Sequence, residues 1–333
     1  MYKPKHMTMI DVAKAANVSH QTVSRVINDH PRVASETRER VLKVIRELNY
    51  RPSRVARSLA AKQTRTLALV AYDMSYYGPT QMVINIEKAA RSAGYDMFFA
   101  NIDPEAVSDI VSIANLIAER SVDGALLIAP VMDIQYSRMI DQLTNIPVLQ
   151  IDIAQGADSP SVVIDQRLGG YIIAKHLIEL GHREICEITG PMNWHGAIAR
   201  HLGFQQALDE HGLHPAGSVE GDWTATSGYE MTRQLLQKAH FTAIASANDQ
   251  MALGSMNRLR QHNLRVPHDV SVCGFDDIPE AQFFDPPLTT IRQDFAALGR
   301  IGLEYLIEMI EHRDVYSGQR IIDPVLVVRE SSA

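Results

Sequence analysis

From residue 66 to residue 311 the chain alternates between short apolar runs and amphipathic stretches of helical period. The runs fall at 66–72, 97–102, 124–128, 148–151, 185–189, 243–247 and 270–273, and a further strand is expected at 325–328. Helical periodicity covers 80–93, 108–120, 169–180, 198–211, 226–238, 251–262 and 295–311. A strand that is apolar along its whole length is covered on both faces. The alternation therefore predicts parallel sheets with helices on each side. Residues 66–333 are long for one open sheet, so two α/β subdomains are expected.

The first residues obey a different pattern. Residues 9–28 read as two short helices joined by a tight turn. Thr8 can N-cap the first helix, and Asp11 stands at the capping-box position. Ile10, Val12, Ala13 and Ala16 form its apolar stripe. Asn17 tolerates a left-handed turn, and Ser19 can cap the second helix. Val23, Val26 and Ile27 face inward at helical spacing. That leaves His20, Gln21, Ser24 and Arg25 facing outward. Gln and Arg carry the paired donors and acceptors that match adenine and guanine edges in a major groove. On spacing alone, a small helical hairpin with a solvated polar face stays open.

Charge separates the two readings. Residues 1–65 hold 14 Lys and Arg against 5 Asp and Glu, a net of +9, whereas residues 66–333 hold 18 against 34, a net of −16. A basic head on an acidic body is the footprint of phosphate binding confined to one end. A third helix opens at Ser35 with the stripe Val41, Val44, Ile45 and Leu48, and ends near Pro52. Residues 53–65, with Arg54, Arg57 and Leu59, could be helical but are too short to hold a helix alone in water. An exposed Leu59 between arginines would suit a minor-groove wedge. A linker with one stray leucine fits equally well.

Other classes are excluded or disfavoured. No apolar stretch reaches about 18 residues, the length a membrane helix needs. The charged N-terminus has no signal-peptide core, so a cytoplasmic protein is expected. Cys186 and Cys273 are expected as buried free thiols. Nucleotide-loop, zinc-protease, nucleophile-elbow and dithiol motifs are absent, so neither an enzyme, a metal site nor a cofactor is expected. The histidines, among them His176, His182, His201 and His211, are expected at surfaces and helix ends.

Ligands of open α/β sheets sit beyond the carboxyl ends of the strands. Asp73, Asp103, Asp152, Asn248-Asp249 and Asp276-Asp277 fall there, and Arg200 lies on the helix after Gly190-Pro191. Carboxylates, Asn and Arg grip sugar hydroxyls while an aromatic face stacks on the ring, a face that Trp223 or Phe295 could supply. Helix capping is the competing role, with Asp249 and Asp277 the expected caps.

At this point the motifs carry a resemblance. Residues 10–13, 18–26 and 48–56, together with 221–223, 247–254, 274–277 and 287–295, resemble the LacI/GalR family, and the likeness runs through essentially the whole chain. The second half is most similar to the lactose-repressor branch. The resemblance implies a helix-turn-helix headpiece (1–52), a hinge (53–65), and a periplasmic-binding-protein-like core. The core would comprise an N-subdomain (66–164 and 294–323) and a C-subdomain (165–293 and 324–333). It implies DNA contacts by His20, Gln21, Thr22, Ser24, Arg25, Asn28, Arg54 and Leu59, and an effector site of Tyr76, Asp152, Arg200, Trp223, Asn248, Asp276, Gln293 and Phe295. The expected function is a repressor of a sugar-utilisation operon, released from double-stranded operator DNA by a galactoside; a purine corepressor is the alternative. His20 stands where the branch has a tyrosine, so a different operator is expected. Tyr72, Tyr76, Tyr77 and Ile164 also depart from the branch and would suit a larger glycoside. The chain stops at Ala333 without the branch's leucine-rich tetramerisation helix, so a homodimer is expected.

Overall fold

The computed structural model describes residues 7–27, 30–50, 64–102, 109–131, 134–312 and 318–333. The chain divides into two compact units, Met1–Arg65 and Thr66–Ala333.

The first unit holds α1 (Met9–Ala15), α2 (His20–Ile27) and α3 (Ser35–Glu47). The expected capping box is present. Thr8 Oγ1 accepts from the Asp11 N–H at 3.3 Å, and the Asp11 carboxylate accepts from the Thr8 N–H at 2.9 Å. Asn17 takes the left-handed turn at φ 53°, and Ser19 Oγ accepts from the Thr22 N–H at 3.1 Å. Val12, Ala13, Ala16, Val23, Val26, Val41, Val44 and Tyr50 form one small core. Ile10 does not join it and is 59% exposed. At about 100° per residue it sits roughly 200° around the helix from Val12, so a seven-residue helix cannot bury both.

The second unit contains two six-stranded sheets. The first is built from β1 (Thr66–Tyr72), β2 (Asp96–Ile102), β3 (Gly124–Ile128), β4 (Val148–Ile151), β5 (Ser161–Ile164) and β11 (Gln319–Ile322), in the order β11-β5-β4-β3-β1-β2. All its pairings are parallel. The second is built from β6 (Ile185–Thr189), β7 (Gly217–Glu220), β8 (Ala243–Ser246), β9 (Ser271–Asp276), β10 (Thr289–Arg292) and β12 (Val325–Val327), in the order β12-β10-β9-β8-β6-β7. Among the described residues only its β10–β12 pair is antiparallel. Each sheet has an apolar cluster on either face. The chain passes between the sheets after Ile164, after Arg292 and after Ile322.

The intervening helices are α4 (Tyr77–Ser92), α5 (Asp109–Glu119), α6 (Ile134–Gln142), α7 (Gln166–Glu179), α8 (His195–Glu210), α9 (Ala225–Lys238), α10 (Asp249–Gln261) and α11 (Phe295–Glu311). Among the described residues no helix is long and apolar enough to cross a membrane. Cys186 and Cys273 are buried free thiols, and burial pushes both up to about 12.

Periodicity missed β5, β7, β10, β11 and α6. The missed strands are four residues each. Thr289 and Thr290 of β10 are fully buried because their hydroxyls are paired, with Ser332 and Asp249 respectively. β7 is an edge strand whose exposure alternates, so no apolar run marks it. Helices α4, α7 and α8 each begin three residues before the expected start, over sequences too polar or glycine-rich to register as an apolar face.

Helices α7 and α8 meet backbone to backbone. A Cβ on Gly203 would lie 1.9 Å from the Arg167 carbonyl oxygen, and one on Gly170 would lie 2.0 Å from that of Arg200. Gly203→Ala must therefore push the two helices apart. Overpacking of this kind costs about 1–3 kcal/mol. Chemical denaturation should show at least that loss, and an unchanged midpoint would refute the close approach.

Candidate functional site

Two surfaces bring chemistry-bearing residues together, one in each unit. On α2, Val23 and Val26 are buried while His20, Gln21 and Arg25 are exposed and Thr22 and Ser24 are half-exposed. The apolar side locks the helix to α1 and α3, so its polar side is presented on a rigid support. Thr22 is partly committed, since its hydroxyl lies 3.0 Å from that of the capping Ser19. No acidic residue occupies the first turn of α2, which leaves the positive end of the helix dipole unopposed. Asn28, Arg54 and Leu59 lie outside the described residues, as does Asp103.

In the second unit a cleft with about 460 Å³ of open space, part of it continuous with solvent, lies beyond the carboxyl ends of the strands. Its walls include Tyr76, Tyr77, Asp152, Gln166, Trp194, Arg200, Trp223, Asn248, Asp276 and Gln293. Asp152 follows β4 of the first sheet; Asn248 follows β8, Asp276 ends β9 and Gln293 follows β10 of the second. Three of these residues hold left-handed backbone, Asp152 at φ 60°, Trp223 at 72° and Asp276 at 111°. Such conformations cost of order 1–3 kcal/mol each and persist where the surroundings over-determine them.

The polar floor centres on Arg200. Its guanidinium lies 3.7 Å over the Phe275 ring and 5.4 Å from the Trp223 ring centroid. It donates to Gln166 Oε1 at 2.9 Å and to the Ala247 carbonyl, and pairs with Asp276 at 3.7 Å. Gln293 donates to Asp276 Oδ1 at 2.6 Å and accepts from Gln166 at 2.7 Å. Burial raises Asp152 to about 7 against the opposing pull of Arg200, with Asp276 adding to the rise. Asp276 is raised by burial to about 6, again against Arg200. Two carboxylates thus face one guanidinium. A neutral, hydroxyl-rich ligand suits such a floor, and a phosphate does not.

The opposite wall is aromatic. Trp194 meets Trp223 at 5.7 Å and Tyr76 at 5.2 Å between ring centres, both edge to face. The Trp194 backbone bridges to Val131, and the His195 N–H donates to the Pro130 carbonyl at 2.8 Å. The loop leaving β6 is thereby pinned to the segment after β3, closing the wall between the sheets. Gly190 makes room for Trp223, since a Cβ there would lie 2.1 Å from the indole. Trp223 Nε1 is buried without a hydrogen-bond partner. Tyr77 is held neutral, pushed up to about 12 by burial and by the nearby Asp276.

Seven of the eight residues expected around an effector line the cavity, and Phe295 does not. Phe295 is 6% exposed within the core of the first sheet, its ring 6.1 Å from that of Tyr77. The expected caps are also corrected. Asn248 caps α10, accepting from the Met251 N–H and donating to the Trp223 carbonyl, each at 2.9 Å. Asp249 is instead fully buried, accepting from Thr290 and the Ile278 N–H. Asp277 accepts from Arg292 and Arg329, each at 2.6 Å. Gln166 and Trp194 escaped the sequence reading. One opens a helix whose start was placed three residues late, and the other lies in a loop with no periodicity. His201 is half-buried and pairs with the buried Glu187 at 2.7 Å, more than the surface role expected of it. Among the described residues no His, Cys, Asp and Glu cluster could hold a metal ion.

Comparison with known proteins places this geometry. Residues 8–53 match the model of the bacterial regulatory proteins of the lacI family, and residues 174–332 match a periplasmic binding protein-like domain. The chain is 34% identical to the lactose operon repressor of Escherichia coli K12 over 98% of its own length and 91% of the relative's. It is 37% identical to the transcriptional repressor PurR of Haemophilus influenzae, covering 97% and 98% of the two chains. Among solved structures, a lac repressor dimer bound to operator and the anti-inducer ONPF superposes with a TM-score of 0.90 at 34% identity, covering 98% and 99%. The regulator CelR in complex with cellobiose gives 0.75 at 30% identity, covering 98% and 100%. The chain belongs to the LacI family of bacterial transcriptional regulators and is a repressor, not an enzyme.

Proposed function

We propose that this repressor binds its operator as a homodimer in the cytoplasm and is released by a neutral sugar, a galactoside or related glycoside, held in the cavity between the two sheets. The observation that carries the reading is the pairing of a polar floor, two carboxylates with Arg200 and Gln293, and an aromatic wall built on Trp223. Hydroxyl pairs fit the floor and a pyranose C–H face fits the wall. We assign the core to an N-subdomain of 66–164 with 294–323 and a C-subdomain of 165–293 with 324–333. His20, Gln21 and Arg25 read bases and Thr22 and Ser24 contact the DNA, with Asn28 and Arg54 as further DNA contacts and Leu59 as the minor-groove wedge. Dimer formation is supported by the relative described as a dimer on operator. It is supported too by an exposed apolar face where Phe283 is 79% and Leu253 43% exposed.

A second reading has its own support. Relatives named PurR are as similar as the lactose repressor, and Trp223 beside Arg200 and Asp276 could stack a purine as corepressor. The chain's two tryptophans both line the cavity, so intrinsic fluorescence reports occupancy directly. Titration with methyl β-galactoside, lactose, cellobiose, hypoxanthine and guanine separates the readings. A response to sugars with loss of operator binding supports the inducer. A response only to purines overturns it.

Three outcomes are expected. Arg25→Ala should remove roughly 1–3 kcal/mol of discrimination between operator and scrambled DNA, measured by competition titration; unchanged preference would sink the base-reading role. Asp276→Ala should keep operator affinity but lose release by the sugar, and a variant that still releases at wild-type sugar concentration would refute the site. Sugar affinity should also depend on pH. Hydroxyls donate to ionised carboxylates, so binding is full above about 7, where Asp152 is ionised. It weakens as pH falls through about 7 and again through about 6, where Asp276 takes up its proton. A titration flat from pH 8 to pH 5.5 would contradict this.

A further inference from the structure

Gln166 and Gln293 stand at two of the places where the chain passes between the sheets. Gln166 opens α7 just after β5 of the first sheet, and Gln293 lies between β10 of the second sheet and α11. Helix α7 packs on the second sheet, and α11 packs on the first. Both glutamines are 6% exposed. Their side chains meet, Gln166 Nε2 donating to Gln293 Oε1 at 2.7 Å.

That bond closes a circuit. Gln293 Nε2 donates to Asp276 Oδ1 at 2.6 Å, Asp276 pairs with Arg200 at 3.7 Å, and Arg200 Nε donates to Gln166 Oε1 at 2.9 Å. The circuit allows each amide one orientation. Were Gln166 flipped, its NH₂ would face the guanidinium and its oxygen would face the Gln293 oxygen. Both crossings are also held by helix caps. Asp165 accepts from the Leu168 N–H at 2.8 Å, and Asp294 accepts from the Ala297 N–H at 2.8 Å. A ligand that draws Asp276 or Arg200 toward itself therefore pulls on the tie between two inter-sheet crossings.

We infer that Gln166 is a positioning residue that transmits occupancy of the cavity to the crossings between the two sheets through its bond to Gln293. This rests on the effector reading above. Its role divides between two atoms. Oε1 orients Arg200 and serves binding, whereas Nε2 holds Gln293 and serves coupling.

Two full-length variants test the division. Gln166→Glu keeps an acceptor for Arg200 and loses the donor to Gln293. Gln166→Met keeps the length and loses both. Effector affinity is read from tryptophan fluorescence with lactose, methyl β-galactoside, hypoxanthine and guanine. Coupling is read as the ratio of operator affinities without and with saturating ligand. Gln166→Glu should weaken ligand binding less than Gln166→Met does, while its operator ratio at saturating ligand falls at least fivefold toward one. Gln166→Met should lose both, with ligand binding about tenfold weaker. Ligand-free operator affinity should stay within twofold in each, which checks that both variants fold. A Gln166→Glu protein with the wild-type ratio overturns the inference and leaves the effector reading standing. If no ligand of the set changes operator binding by the wild-type protein, the effector reading fails and this inference fails with it.

Discussion

The core depends on one buried cation. Arg200 sits between the rings of Phe275 and Trp223 and faces Asp152 and Asp276. Burying two carboxylates is costly unless a counter-charge and hydrogen bonds accompany them. Arg200 supplies the charge, and Gln293 supplies a hydrogen bond to Asp276. The glycines of α7 and α8 let the backbone that carries Arg200 approach closely enough for this. Removing the guanidinium would leave two buried acids without an opposing charge in a site shaped to hold them.

The same arrangement sets what the cavity accepts. Asp152, Trp223 and Asp276 are held in left-handed backbone by strand ends and neighbouring loops. The cavity is thus largely built before any ligand arrives, and its polar groups need little reordering on binding. Polar floor and aromatic wall come from both sheets, so a ligand touching both senses the separation between them. Differential binding of that kind is what shifts a two-state protein.

Much of this was legible in the residues, though unevenly. The capping box at Thr8, the left-handed Asn17 and the Ser19 cap are local chemistry, and each is where the sequence places it. The long apolar strands were equally plain. Short strands such as β7 and β10 were not, because their stability comes from neighbours across the sheet and not from an apolar run. Asn248 took the capping role expected of Asp249, since position in a dipeptide says nothing about which carbonyl or hydroxyl waits across the sheet. Phe295 matched its motif yet faces the core behind Tyr77.

By itself the sequence determined the caps of the first two helices, the alternation that requires parallel sheets, the basic head on an acidic body, and the polar residues at strand ends. Each follows from interactions over a few residues or from summed charge. Only the tertiary structure decided which of those polar residues share a cavity and which are caps. It also brought Gln166 to Gln293 across 127 residues of chain, and set Trp194 between Tyr76 and Trp223. Such contacts join distant segments through packing, and no local period or propensity records them.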